Sequence, residues 1–145
     1  MQDNDEKWMK MALLQAQLAE EKGEIPVGCI VVYQDRIVAR AHNQVIQLND
    51  PTAHAEMIAI TSATETIGSK YLDKCHIYIT LEPCFMCAGA IHWSRFPRVV
   101  FGAHDPKKGF LKYQPPILLP STEITGGVLE EDCGQMIKKF FAGKR

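Results

Sequence analysis

The sequence lacks the features that mark membrane, secreted and low-complexity proteins. No apolar run approaches the length of a membrane-spanning helix, and residues 1–6 are polar and acidic, unlike a secretory signal. There is no internal repeat, no biased segment and no linker between domains. These absences predict a soluble, cytoplasmic protein that forms one domain over residues 1–145 and has no membrane partner.

The net charge and the cysteine content exclude some classes of protein but do not identify one. The formal net charge of −1 points to no particular partner, and five cysteines, an odd number, indicate no disulfide framework. With 46% hydrophobic and 23% charged residues, the 145-residue chain has the composition of an ordinary globular protein. A chain of this length can bury a substantial core.

What the sequence does contain is a regular alternation of apolar patterns with periods of helices and strands. A helix is predicted over residues 5–22, hairpin strands over 27–33 and 37–41, a helix over 53–67, a strand over 75–81, a helix over 84–95, strands over 98–102 and 123–125, and a helix over 128–142. The proline-rich stretch 104–121 is predicted to be a loop. This order favours an α/β fold with parallel neighbouring strands and helices covering the sheet.

Two short motifs carry the chemistry: His54-Ala55-Glu56 and Pro83-Cys84-Phe85-Met86-Cys87. One histidine and two cysteines can bind zinc and leave the fourth tetrahedral position open for water, which is typical of a catalytic site. Glu56 then supplies an unligated carboxylate for proton transfer. The pattern H-x-E followed by P-C-x-x-C marks zinc-dependent nucleobase deaminases.

The spacing within each motif constrains the local structure. The two cysteines are three residues apart and share one face of a helix that begins at Pro83. Residues two apart on a regular helix point to nearly opposite sides, so His54 is expected at a helix entrance. Asp50 or Thr52 is predicted to cap that helix.

A C-x-x-C pair by itself has other interpretations. It can be a redox pair, or half of a structural zinc site that Cys75 or Cys133 completes. A structural-zinc RNA-binding module is therefore the alternative from outside the enzymes. In a structural-zinc module, however, Glu56 would have no role in metal binding or in catalysis.

Further stretches extend the pattern along nearly the whole chain. They are Glu24-Ile25-Pro26-Val27-Gly28, Asn43, Asp50-Pro51-Thr52-Ala53, Leu81-Glu82, Ala88-Gly89-Ala90, Val100-Phe101-Gly102-Ala103, Asp105, Lys107 and Gly126-Gly127-Val128-Leu129. With the two motifs, they make the chain resemble the bacterial tRNA-specific adenosine deaminases of the cytidine deaminase superfamily.

The resemblance implies a fold, an activity and a set of partners. The implied fold is a cytidine deaminase-like three-layer α/β/α sandwich with a mixed, mainly five-stranded central sheet. The implied activity is the hydrolytic deamination of the wobble adenosine of an arginine tRNA to inosine, by a zinc-activated water. The implied assembly is a homodimer with one Zn²⁺ in each subunit, which binds the tRNA anticodon stem-loop.

The resemblance also implies roles for individual residues. His54, Cys84 and Cys87 would hold the zinc and Glu56 would be catalytic, while Asn43 would hydrogen-bond the flipped base. The expected pocket walls are Val27, Ala55 and Pro83. The expected RNA contacts are Asp105, Lys107, Lys108, Phe140, Phe141, Lys144 and Arg145.

The segment 110–120 departs from the small-residue stretch found at this place in the commoner bacterial version. Its basic and aromatic residues fit either contact with a nucleic acid or a solvated loop packed by its own apolar side chains. A deaminase that acts on free guanine, cytosine or cytidine would use the same zinc chemistry with a different loop over the pocket. Guanine or cytidine deamination is therefore the alternative activity.

Overall fold

The computed structural model of the protein describes residues 2–143, with side chains from residue 4 onward. Its elements are α1 (Gln2–Glu21), β1 (Gly28–Tyr33), β2 (Arg36–His42), α2 (Ala55–Ile67), β3 (His76–Leu81), α3 (Phe85–Ser94), β4 (Arg98–Ala103), a 3₁₀ turn (Phe110–Lys112), β5 (Glu123–Thr125) and α4 (Glu130–Ala142). Every predicted helix and strand is present, within about three residues at each end. Between residues 2 and 143, no helix has both the length and the apolar character needed to cross a bilayer.

The five strands form one mixed sheet in the order β2-β1-β3-β4-β5. β3 and β4 are parallel neighbours, as predicted, and β5 also pairs parallel with β4. The prediction is wrong for β2 and β3, because β1 lies between them and pairs antiparallel with both. β2 and β3 therefore run in the same direction but are not hydrogen-bonded to each other. The connection through α2, which joins them, crosses over β1.

Helices cover both faces of this sheet, and alternate residues of each strand point to opposite layers. On β3, Ile77 and Ile79 belong to the core beneath α2 and α3, whereas Tyr78 belongs to the core beneath α1 and α4. The predicted three-layer α/β/α sandwich with a five-stranded mixed sheet is confirmed.

The first strand passes unusually close to α1. A Cβ atom added to Gly28 would lie 1.9 Å from the carbonyl oxygen of Ala12. Any larger residue at this position would push the helix off the sheet, so the glycine sets the spacing between the two elements.

A buried polar cluster fastens α1 to the amino-terminal ends of β3 and β4. The Asp5 carboxylate accepts hydrogen bonds of 2.6 and 2.7 Å from the Arg98 guanidinium, and one of 3.0 Å from the Tyr78 hydroxyl. Because β3 and β4 are parallel, this cluster lies at the end of the sheet opposite the residues that follow the two strands.

The segment between β4 and β5 has few regular elements but is anchored to the core. Phe110 and Leu118 are buried with the residues beneath α2 and α3. Nδ1 of His92 lies 2.7 Å from the carbonyl oxygen of Ile117, which ties the segment to the last turn of α3. Apolar side chains of the segment therefore pack into the core, which is one of the two interpretations that its sequence left open.

Candidate functional site

The two motifs lie at the amino-terminal ends of α2 and α3. His54 is the extended residue before α2, with φ −73° and ψ 153°, as expected for a residue at a helix entrance. Cys84 is the extended residue before α3, with φ −75° and ψ 175°, and Cys87 lies in the first turn. The helix begins at Phe85, one residue after the predicted range 84–95 and two after Pro83, so both sulfurs lie at its electropositive end.

The convergence of these two helix ends brings three ligand atoms together. Nδ1 of His54 lies 3.7 Å from Sγ of Cys84 and 3.5 Å from Sγ of Cys87. A tetrahedral zinc ion with ordinary zinc–nitrogen and zinc–sulfur bonds separates such atoms by about 3.6 Å. The distances and the donor types of this group therefore fit zinc.

Neither of the other candidate cysteines completes the group. Within the described part of the chain, the cluster suited to a metal consists of His54, Cys84 and Cys87. Cys75 is buried just before β3, at the far end of that strand, and Cys133 packs against Gly102. Among the described residues the group therefore has no fourth protein ligand of the kind that a structural-zinc module needs, and a three-ligand set is typical of a catalytic site.

Hydrogen bonds among the three ligands shift their pKa values. The bonds from Cys87 and His54 lower the pKa of the Cys84 thiol to about 4. The same contact with Cys84, together with burial, raises the pKa of Cys87, and the bond to Cys84 raises the pKa of His54. Zinc binds thiolates and neutral imidazole, so metal binding at this site is coupled to proton release.

Glu56 lies in the first turn of α2 and is only 4% exposed. Burial raises the pKa of its carboxyl group to about 7, and the group hydrogen-bonds Cys87. A carboxyl group with a pKa near neutrality can both take up and release a proton at physiological pH. Glu56 is thus placed as an acid/base group beside the three ligands.

Asn43, and not the predicted Asp50 or Thr52, caps α2. Its Oδ1 accepts a 2.7 Å hydrogen bond from the Ala55 amide, the first of the helix. Oδ1 of Asp50 instead accepts 2.8 Å bonds from the backbone and hydroxyl of Thr52, which closes a local turn before the helix begins. The prediction was wrong because Asp50 lies five positions before the first helical residue.

The predicted pocket residues lie around this capped helix end. The amide of Asn43 donates a 3.2 Å hydrogen bond to the carbonyl oxygen of Val27. Ala55 is fully buried, and Pro83 is buried directly before the metal ligand Cys84. Asn43 is therefore hydrogen-bonded to Val27 and Ala55, and Pro83 is adjacent in sequence to Cys84 of the three-residue group.

The loop after β4 carries three of the predicted RNA contacts. Lys107 and Lys108 are exposed, and their backbone amides donate 3.2 and 3.1 Å hydrogen bonds to Oδ1 of Asp105. Gly109 pairs with Cys84 across an isolated bridge. This contact places the basic loop beside a metal ligand.

The other predicted RNA contacts lie on a different element. Phe140 and Phe141 belong to the last turn of α4, where their rings meet edge to face at 5.3 Å. Phe141 is half exposed. Lys144 and Arg145 lie outside the described residues.

Two buried carboxyl groups beside the site were not predicted as site residues. Glu24 accepts hydrogen bonds from the amides of Ile46 and Gln47, in the loop that follows Asn43. Glu82, directly before the P-C-x-x-C motif, contacts the loop 104–111 in the same way. The sequence gives a hint only for Glu82, which is a lone charged residue in an apolar stretch directly before a proline.

Comparison with known families decides the identity of this site. Residues 2–103 match the family model of the cytidine and deoxycytidylate deaminase zinc-binding region. The chain belongs to this deaminase family. As a family member with the His54, Cys84 and Cys87 group in place, it is a zinc-dependent hydrolytic deaminase.

Individual relatives refine this placement of the deaminase. The chain is 45% identical over 142 residues to the tRNA-specific adenosine deaminase of Bacillus subtilis (strain 168). The alignment covers 94% of this chain and 88% of that protein. A solved structure from studies of A-to-I editing by tRNA:A34 deaminases at the wobble position is 36% identical, with a TM-score of 0.82 over 88% of this chain and 96% of that chain. The guanine deaminase of Bacillus subtilis is 40% identical, with a TM-score of 0.65 over 68% of this chain and 64% of that chain. The predicted resemblance to tRNA-specific adenosine deaminases is confirmed.

Proposed function

We propose that this deaminase converts adenosine to inosine at the wobble position of an arginine tRNA in the cytoplasm. The observation that carries the reaction type is the convergence of His54, Cys84 and Cys87 beside the buried Glu56. The choice of a tRNA substrate is supported by the similarity to tRNA-specific relatives along 94% of the chain.

The chain's own residues supply the proton transfers of the reaction. His54, Cys84 and Cys87 would hold the zinc ion, which would supply the activation of a water molecule as the nucleophile. Glu56 accepts a proton from the attacking water and delivers it to N1 of the adenine ring, then carries a second proton to the amine on C6. Ammonia leaves, and the water oxygen remains on C6 as the carbonyl oxygen of hypoxanthine.

The residues around the capped helix orient the flipped base. Oδ1 of Asn43 is committed to the Ala55 amide, which leaves the side-chain NH₂ to donate to an acceptor on the base. By resemblance, the buried residues Val27, Ala55 and Pro83 would supply apolar walls that stack on the ring and exclude water. A purine would therefore be held by one polar contact within an otherwise apolar pocket.

The exposed loop after β4 would hold the anticodon stem-loop. Lys107 and Lys108 can meet phosphates, and Asp105 fixes the turn that presents them. By resemblance, the aromatic pair Phe140 and Phe141 would stack on bases, and the basic residues at 144 and 145 would meet the backbone.

A substrate panel tests this proposal. The purified zinc-loaded protein is incubated separately with an arginine tRNA bearing adenosine at the wobble position, with guanine and with cytidine, and ammonia release is measured for each. Ammonia from the tRNA alone supports the proposal. Ammonia only from guanine or cytidine overturns the choice of substrate and supports the alternative activity.

We also infer a homodimer with one zinc ion in each subunit. The outer face of α3 exposes Phe85 (62%) and Trp93 (76%), with open space around the intervening Gly89. Positions four residues apart on a helix lie on one face, so these residues form a single apolar strip directly behind the metal ligands. A second copy of the chain would bury this strip.

A further inference from the structure

Glu82 is a buried carboxyl group that the chemistry of the site does not use. It lies between β3 and the metal ligand Cys84, and it is only 5% exposed. Its own amide donates a 2.8 Å hydrogen bond to the carbonyl oxygen of Ala103, which closes the ends of β3 and β4 together. A charged residue type is costly at such a buried place unless its oxygens have partners.

Those partners come from both ends of the loop 104–111. Oε1 of Glu82 accepts a 2.9 Å hydrogen bond from the Asp105 amide, and Oε2 accepts a 3.0 Å bond from the Leu111 amide. Nδ1 of His104 lies 3.7 Å from Oε1. The two oxygens of one carboxyl group therefore clamp the loop where it leaves β4 and where it enters the 3₁₀ turn.

The middle of the same loop lies directly on this carboxyl group. A Cβ atom added to Gly109 would be 1.9 Å from Oε2 of Glu82, so only glycine permits the approach. The next amide, that of Phe110, donates a 3.0 Å hydrogen bond to the carbonyl oxygen of Pro83. The loop is thus seated on the two residues that precede Cys84.

We propose that Glu82 is a positioning residue for the polynucleotide substrate. By holding the loop 104–111 against the metal-binding segment, it fixes Lys107 and Lys108 relative to the reacting centre. This inference rests on the proposed function, because a clamp on two exposed lysines matters for a nucleic acid and not for a free base. Loss of the clamp should weaken tRNA binding before it affects the chemical step.

The test compares Glu82→Gln and Glu82→Ala with Asp5→Asn, a matched change of another buried carboxyl group at the opposite end of the sheet. We expect the Gln variant to raise KM for the arginine tRNA about tenfold, which is the effect of losing one or two hydrogen bonds to a buried carboxylate, and the Ala variant to raise it further. Zinc content should stay at the wild-type level, with kcat changed less than KM. Hydrogen exchange at the amides of Asp105 and Leu111 should accelerate in both Glu82 variants by more than in the core strands, whereas Asp5→Asn should show no such selective acceleration at these two amides.

Binding measured separately from turnover completes the test. In a Glu56→Ala background, fluorescence anisotropy should show the same weakening of tRNA affinity when Glu82 is changed. Wild-type affinity and KM in the Glu82 variants would overturn the proposal, as would a loss of kcat in proportion to lost zinc with KM unchanged. Should neither variant fold, Gly109→Ala displaces the same contact from the loop side, and a wild-type KM in that variant also overturns it.

The outcome for the wild-type protein separates the two proposals. If the wild type deaminates guanine and not tRNA, the proposed function fails. If the wild type deaminates tRNA and the Glu82 variants match it in affinity and KM, only the role of Glu82 fails.

Discussion

Glu56 is surrounded by metal ligands without belonging to the ligand group. Replacing it with alanine should leave zinc content unchanged and lower kcat by about 10²- to 10⁴-fold, the usual contribution of a general acid/base. Metal analysis and the deamination rate, measured on the same preparation, check this. Loss of zinc from Glu56→Ala would contradict the assigned role.

Cys84→Ala is the matched contrast, because it removes a predicted ligand from the same site. We expect it to lose zinc and to unfold at a lower temperature than the wild type, since metal binding and folding are coupled. Metal analysis and thermal unfolding measure the two effects. A fully metallated and active Cys84→Ala protein would rule out the ligand assignment.

The identities of the chemical residues could be predicted because their types and spacing are specific to zinc chemistry. Their supporting contacts could not, since these join residues far apart in sequence. Asn43 caps a helix that begins twelve residues later, and Glu82 meets amides at positions 105 and 111. No local spacing reveals such partners. Asp50 was the natural choice of cap from its residue type alone.

At the scale of elements, α1 depends on the polar cluster that joins it to β3 and β4. Burial alone would raise the pKa of Asp5, but the hydrogen bonds from Arg98 and Tyr78 outweigh it, and the net pKa lies below the ordinary value of 3.8. Breaking this buried pair by Asp5→Asn should lower the free energy of unfolding at pH 7 by about 3 kcal/mol. Urea denaturation measures this loss.

The pH dependence of that difference follows from the lowered pKa. A depressed carboxyl pKa stabilises the folded state above the unfolded-state value and loses this effect as pH falls through the folded-state value. The gap between wild type and Asp5→Asn should therefore be full above about pH 5 and shrink below pH 4. A gap that widened with acid would show that the Asp5 carboxylate is not stabilised by Arg98.

Helices and strands were predictable because apolar residues recur with the period of each element. The order of strands in the sheet was not, since no pattern in β2 or β3 shows that β1 inserts between them. The segment after β4 was correctly predicted to be a loop from its prolines. Which of its apolar residues reach the core, Phe110 and Leu118, depends on contacts with the sheet and α3.

At the scale of the whole molecule, the apolar strip on α3 predicts self-association. Trp93→Glu places a charge at the most exposed residue of this strip and should convert the dimer to a monomer in sedimentation velocity experiments. Leu14→Glu on α1, which changes another half-exposed apolar residue, is the control and should remain dimeric. A monomeric wild type, or a dimeric Trp93→Glu variant, would contradict the assigned interface.

The most direct test of the whole account is nucleoside mapping of an arginine tRNA after incubation with the zinc-loaded protein. We predict that inosine replaces adenosine at the wobble position, that adenosines elsewhere in the tRNA stay unchanged, and that Glu56→Ala yields no inosine in the same time. A tRNA that keeps its wobble adenosine, in the presence of protein that deaminates free guanine, would contradict the account.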